Sequence, residues 1–307
     1  MTSLRALNLF LIGWLTAAVP IVRAEPADAG LRERKVDLGN GVSLRVIEAG
    51  SKGATLPLVF ISGWSTGADI WRQQIDHFAS SHRVIAFDPR SQGESTVTTN
   101  GNTPETRAQD LHALLERLEV RRPVLIGWSQ GVQDVAAYIR RYGTGDIDRV
   151  VLVDAASADG ADGIVTRPEE AAAQFKMFSV YQAHQPEYLR GMMGAIISKS
   201  QPPGAIDRLV ATGLKTPPAI GIAMLVADLF GENRSEALAK IDCPLLIIAS
   251  AKSEELARQE AMAARVRGAR LEKIEDASHA VFLDQPARFS ELLERFLTSS
   301  AKEPPKM

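Results

Sequence analysis

Residues 123–131 read Pro123-Val124-Leu125-Ile126-Gly127-Trp128-Ser129-Gln130-Gly131. A short, uninterrupted apolar run is the pattern of a strand covered on both faces, as in a parallel sheet. The residues that follow, Val132 to Arg140, carry apolar side chains at helical spacing. Ser129 therefore stands between two glycines at the junction of a buried strand and a helix. So sharp a turn forces strained backbone angles on its central residue, and small neighbours keep it free of clashes. The turn lifts the serine hydroxyl clear of the sheet edge. The next amide, that of Gln130, lies at a helix N-terminus, where unpaired N–H groups favour developing negative charge.

Outward from this junction the same alternation repeats. Leu58–Ile61, Arg83–Phe87 and Val150–Val153 are buried-strand runs, and Ile70–Ala79 and Pro104–Leu118 read as helices between them. Alternation at this spacing predicts a mostly parallel sheet with helices on both faces. Ahead of it, Leu31–Glu48 reads as a hairpin turning at Asn40-Gly41. From Ala155 to about Lys240 no strand pattern occurs, and Pro202-Pro203 and Pro217-Pro218 break the segment. Residues 156–240 are thus expected to form a small helical insertion, a cap over the strand ends. The alternation resumes with the strand Pro244–Ala249, a helix over Glu254–Val266, the strand Ala269–Ile274 and a last helix over Gln285–Leu297. The expectation is an α/β domain over residues 31–298 with an eight-stranded, mostly parallel sheet, followed by a polar, disordered tail at 299–307.

The composition narrows the function classes. A net charge of −2 gives no electrostatic case for nucleic acid. The single cysteine, Cys243, rules out an intrachain disulfide and argues against a cysteine-based metal site. At the start, Arg5 precedes the mostly apolar stretch Leu7–Val22, then Val22-Arg23-Ala24 and a polar segment. This is the pattern of a signal peptide cleaved after Ala24, giving a secreted or periplasmic protein with no membrane span left after cleavage. The alternative is an uncleaved anchor.

A serine hydroxyl becomes a nucleophile only with a base in hydrogen-bond reach, an acid that orients the base, and donors for the oxyanion. Of five histidines, His77 and His82 flank a helix-to-strand loop, His112 lies in the polar stripe of a helix and His184 lies in the insertion. His279 directly follows the last expected strand. It therefore belongs to the edge where parallel strands end, the edge that carries Ser129.

At this point the chain resembles the α/β-hydrolase fold superfamily, in its branch of small esterases, haloperoxidase-like hydrolases and haloalkane-dehalogenase-like proteins. The resemblance runs from about Val36 to Leu297 and rests on four pieces: Ser62-Gly63-Trp64, Asp88-Pro89-Arg90-Ser91-Gln92-Gly93-Glu94-Ser95, the elbow Gly127–Gly131, and Asp276-Ala277-Ser278-His279 with Gln285-Pro286. Ser62 stands where the family usually has histidine, and Ser91 and Ser278 where it has glycine. The resemblance implies a serine hydrolase of carboxylic esters or related acyl compounds. Ser129 would be its nucleophile, His279 its base, and the backbone N–H groups of Gln130 and Trp64 its oxyanion donors. It implies no metal or organic cofactor, and a small-molecule substrate with an apolar part. Two positions compete for the acid. Many relatives place it just after the strand at Leu245–Ala249, where this chain has Ser253 in register and Glu254 one residue late. Others place it at the end of the strand after the elbow helix, where this chain has Asp154. Asp154 is preferred, with Glu254 the alternative, because no carboxylate fills the later slot in register. Asp88 and Arg90 are read as ties of their loop, Arg90 through carbonyls. Lactonase and C–C bond hydrolase chemistry stay open, as does a non-catalytic binding protein on the same fold. The oligomeric state is left open.

Overall fold

The computed structural model describes residues 30–39, 41–53 and 56–299. The expected signal peptide and cleavage site, Asn40 of the hairpin turn, and the tail beyond Ser299 lie outside the described residues. Eight strands form one sheet: β1 (Arg32–Asp37), β2 (Ser43–Ala49), β3 (Leu58–Ile61), β4 (Val84–Phe87), β5 (Val124–Trp128), β6 (Arg149–Val153), β7 (Leu245–Ser250) and β8 (Arg270–Ile274). Their order across the sheet is β1-β2-β4-β3-β5-β6-β7-β8. β2 pairs antiparallel with β1 and β4, and all remaining neighbours are parallel.

The central strands are apolar throughout because helices cover both faces. Side chains alternate between the faces. Val59, Ile61, Leu125, Leu152 and Ile247 pack with α2 (Pro104–Arg117), α3 (Gln130–Tyr142) and α9 (Leu256–Arg265). Leu58, Phe60, Ile126, Val151 and Ile248 pack on the opposite face with α1 (Arg72–Phe78), α10 (Val281–Asp284) and α11 (Pro286–Thr298). The outermost strands differ from the centre. β1 reads Arg-Glu-Arg-Lys over residues 32–35, all exposed, and β8 carries Arg270, Glu272 and Lys273.

The strandless segment folds as helices: α4 (Asp162–Thr166), α5 (Pro168–Ala183), α6 (Gln185–Ile196), α7 (Ala205–Gly213) and α8 (Pro218–Phe230). It has an apolar cluster of its own, in which Tyr181, Leu189, Met193, Val210 and Met224 gather on Trp64 of the sheet domain. Among the described residues no single helix is long and apolar enough to cross a membrane.

Several boundaries shift from those read in the sequence. Gly127 and Trp128 belong to β5, paired with Leu152 and Val153. The helix expected over Ile70–Ala79 begins as a 3-10 turn at Ala68–Trp71. The final helix, expected from Gln285, starts at Pro286 with Gln285 as its N-cap, and a separate short helix, α10, precedes it. Arg90 ties its loop through a carboxylate rather than carbonyls. Its guanidinium takes Asp110 of α2 bidentately, at 2.7 and 2.6 Å, with both groups buried. Asp88 closes the same loop by accepting the N–H groups of Ala68 (2.6 Å) and Glu94 (2.8 Å).

Candidate active site

Ser129 has φ 56° and ψ −118°, the strained conformation expected of a strand-to-helix elbow. Three glycines make this turn possible. A Cβ on Gly127 would lie 2.5 Å from Gly131 O, and one on Gly131 would lie 2.6 Å from Ile61 O. A Cβ on Gly63 would meet the Trp128 ring at 2.8 Å and Ser129 Cβ at 3.1 Å. The ends of β3 and β5 and the start of α3 thus converge to backbone contact. The loop at Gly63-Trp64 lies directly against the serine.

The elbow is tied sideways to the next strand. Ser129 N–H donates to Val153 O at 3.2 Å, and Asp154 N–H to Ile248 O at 2.9 Å. The ladder therefore continues past the ends of β5 and β6 and sets Ser129 beside Asp154, and Asp154 beside the end of β7, whose last residue is Ser250. Asp154 also has positive φ, 44°, which turns its side chain out of the strand direction.

Asp154 is 2% exposed and both its oxygens are engaged. Oδ2 lies 2.8 Å from His279 Nδ1. Oδ1 accepts the Ser250 N–H at 2.8 Å and the Gln259 Nε2 amide at 3.3 Å. A buried carboxylate next to imidazole Nδ1 assigns the proton to that nitrogen, which leaves Nε2 with its lone pair. Glu254 is exposed at the start of the turn into α9. Its neighbour Glu255 accepts the Ala156 N–H at 2.9 Å and so braces the chain just after Asp154. The structure thus joins His279 to Asp154 and leaves Glu254 at the surface.

His279 is held from three sides. Trp128 Nε1 donates to its carbonyl at 3.0 Å, with the indole 5.2 Å from the imidazole. Ser250 Oγ donates to Ala277 O at 2.7 Å. Buried Asp284 accepts the Ser278 N–H at 2.7 Å, together with the N–H groups of Ser198 (2.9 Å) and Lys199 (2.8 Å) from the insertion. Ser278, at a position where the family usually has glycine, donates its hydroxyl to Ala195 O at 2.7 Å. The other histidines stand elsewhere: His77 pairs with Glu294 at 2.7 Å on the surface, and His112 stacks on Tyr142.

The two residues read as oxyanion donors have buried side chains with partners in the insertion. Trp64 Nε1 donates to Gly221 O at 2.9 Å. Gln130 accepts from Gln92 Nε2 at 2.8 Å and donates to Asp228. Asp228 and Asp134 share the single guanidinium of Arg107, all three buried. Burial pushes the Asp134 carboxyl up to about 7, against the pull of Arg107, and the neighbouring Asp228 adds to the rise. Among the described residues no group of three or more His, Cys, Asp or Glu side chains is arranged to hold a metal ion. Cys243 is a poor nucleophile, since burial pushes its thiol up to about 11.

Sequence reasoning missed Gln259, Asp284 and Asp228. Only Asp228 left a trace there, as the one ionisable residue in Pro218–Phe230, otherwise an apolar and glycine stretch.

Known proteins resemble this chain in sequence and in fold. A non-heme chloroperoxidase of Streptomyces lividans is 32% identical over 208 residues, which cover 62% of this chain and 72% of that protein. A bromoperoxidase from Bacillus anthracis superposes with a TM-score of 0.78 at 22% identity, covering 87% of this chain and all of its own. An esterase from Exiguobacterium antarcticum superposes with a TM-score of 0.77 at 21% identity, covering 86% and 99%. The family model described as "Alpha/beta hydrolase family" matches residues 58–292, most of the sheet domain with its insertion. The chain therefore belongs to the alpha/beta hydrolase family.

Proposed function

We propose that this protein is a serine hydrolase of carboxylic esters or related acyl compounds. The observation that carries the reading is the 2.8 Å contact of His279 Nδ1 with buried Asp154, behind a serine held at positive φ on the elbow. In this reading His279 Nε2 takes the Ser129 proton as Oγ attacks the substrate carbonyl. The N–H groups of Gln130 and Trp64 receive the oxyanion. The imidazolium, stabilised by Asp154, then protonates the leaving alcohol, and an acyl-enzyme remains. Water, deprotonated by His279, attacks the acyl carbon and releases the acid and Ser129. Asp154 takes the orienting role rather than Glu254, because an exposed carboxylate with no contact to the imidazole cannot fix its tautomer.

The test is labelling with a fluorophosphonate probe. The wild type should label and Ser129→Ala should not. A folded wild type that resists labelling would favour a binding protein instead. A chain-length series of nitrophenyl esters then measures the acyl part accepted. A second reading follows from a relative named an esterase/perhydrolase, from Acinetobacter calcoaceticus: hydrogen peroxide, in place of water, would open the same acyl-enzyme to a peracid. It is measured as peracid formed when peroxide competes with water.

A further inference from the structure

Trp64 and Gln130 come from different strands' ends, yet their side chains lean on one element. Trp64 Nε1 donates to Gly221 O, and Gln130 Nε2 to the Asp228 carboxylate. Gly221 and Asp228 are seven residues apart on α8, two turns along the same face and about 10 Å apart along the axis. The two anchors differ in chemistry. Gly221 offers a backbone carbonyl and lies so close to the insertion's interior that a Cβ there would sit 2.7 Å from Tyr181 OH. Tyr181 in turn packs on Trp64 with ring centroids 4.8 Å apart. Asp228 is a carboxylate 2% exposed in a helix otherwise without charge. A buried charge there is costly unless paired. Arg107 of α2 takes one oxygen and Gln130 the other. Gln130 is also fixed from the far side by Gln92.

We propose that α8 is a shared strut of the oxyanion site, with Asp228 and Gly221 as positioning residues. They set the spacing of the Gln130 and Trp64 N–H donors without touching the substrate. The position of the insertion is thereby read into transition-state stabilisation, because a shift of α8 displaces both donors together. The inference rests on the ester-hydrolase reading above.

The experiment compares Asp228→Asn, Trp64→Phe and the double variant with wild type. Asp228→Asn keeps shape but weakens the tie to Gln130, and Trp64→Phe keeps an aromatic ring but loses the N–H to Gly221. Each is measured for kcat and KM on a nitrophenyl ester, for melting temperature, and for affinity toward two ligands. One is a trifluoromethyl ketone, whose hemiketal with Ser129 carries the oxyanion. The other is the free carboxylic acid product. Each single variant should lose roughly tenfold in kcat with KM nearly unchanged, less than the loss from deleting a donor outright. Ketone affinity should fall in parallel while product affinity holds. The double variant should lose less than the product of the two single losses, since both act through one helix. Unchanged ketone affinity in a folded single variant, or a loss confined to KM, overturns the proposal. If Asp228→Asn does not fold, Trp64→Phe alone decides by the same readouts. Failure of the wild type itself to bind the ketone or to label with fluorophosphonate would instead overturn the hydrolase reading.

Discussion

The ends of β6 and β7 lie side by side, and each is followed by a carboxylate within a few residues. Only one of the two faces His279. At the end of β6 a positive φ turns Asp154 inward, burial removes water from it, and two N–H donors occupy the oxygen that His279 does not use. At the end of β7 the corresponding space is filled by donors. Ser250 gives its N–H to Asp154 and its hydroxyl to the histidine loop, while Glu254 points to solvent. The family's two placements of the acid thus appear here as acid and cradle: one strand end supplies the charge and its neighbour supplies the hydrogen bonds that hold it. An acid position is defined less by distance along the chain than by which strand end is buried and supplied with donors.

Three substitutions test that division. Asp154→Asn should have the largest effect, a loss of about ten-thousand-fold in kcat with the fold retained, because the amide stabilises the wrong imidazole tautomer. Full activity in this variant would break the comparison. Gln259→Leu removes one of the two donors on Asp154 Oδ1 and should lower kcat/KM about fivefold, the effect of about 1 kcal/mol for one net hydrogen bond. No loss would mean that the Ser250 N–H suffices to hold the carboxylate. Glu254→Gln should stay within about twofold of wild type in the same ester assay, as expected of an exposed charge. A larger loss from Glu254→Gln than from Asp154→Asn would exchange the roles of the two strand ends.

The sheet was legible in the sequence because its central strands are buried on both faces. Runs such as Leu58–Ile61 and Val150–Val153 admit few other readings once Ser129 is seen between strand and helix. His279 was legible for a related reason: a histidine just after a parallel strand is delivered to the same edge as the elbow. The choice of acid was narrowed but not made, since it depends on a backbone angle and on burial created by neighbouring strands. The roles of Gln259 and Asp228 were illegible because the partners that matter lie far along the chain, and Asp284 shares that fate in its ties to Ser198 and Lys199 of the insertion. Gln259 reaches Asp154 across 105 residues and Asp228 reaches Gln130 across 98. The insertion's helices were readable only as an absence of strands. Their apolar residues serve two surfaces, the insertion's own interior and Trp64, and this blurs a single stripe.

The charged outermost strands have a consequence for the molecule in crowded solution. Among the described residues β1 and β8 end the sheet with their outer N–H and C=O groups unpaired by any strand, and such rows can template pairing with another chain. Arg32-Glu33-Arg34-Lys35 on one edge and Arg270, Glu272 and Lys273 on the other keep those rows hydrated. A second copy could extend the sheet only by stripping water from these ions. The apolar strands at the centre, the segments most prone to aggregate if laid bare, are thus enclosed by edges that resist self-association.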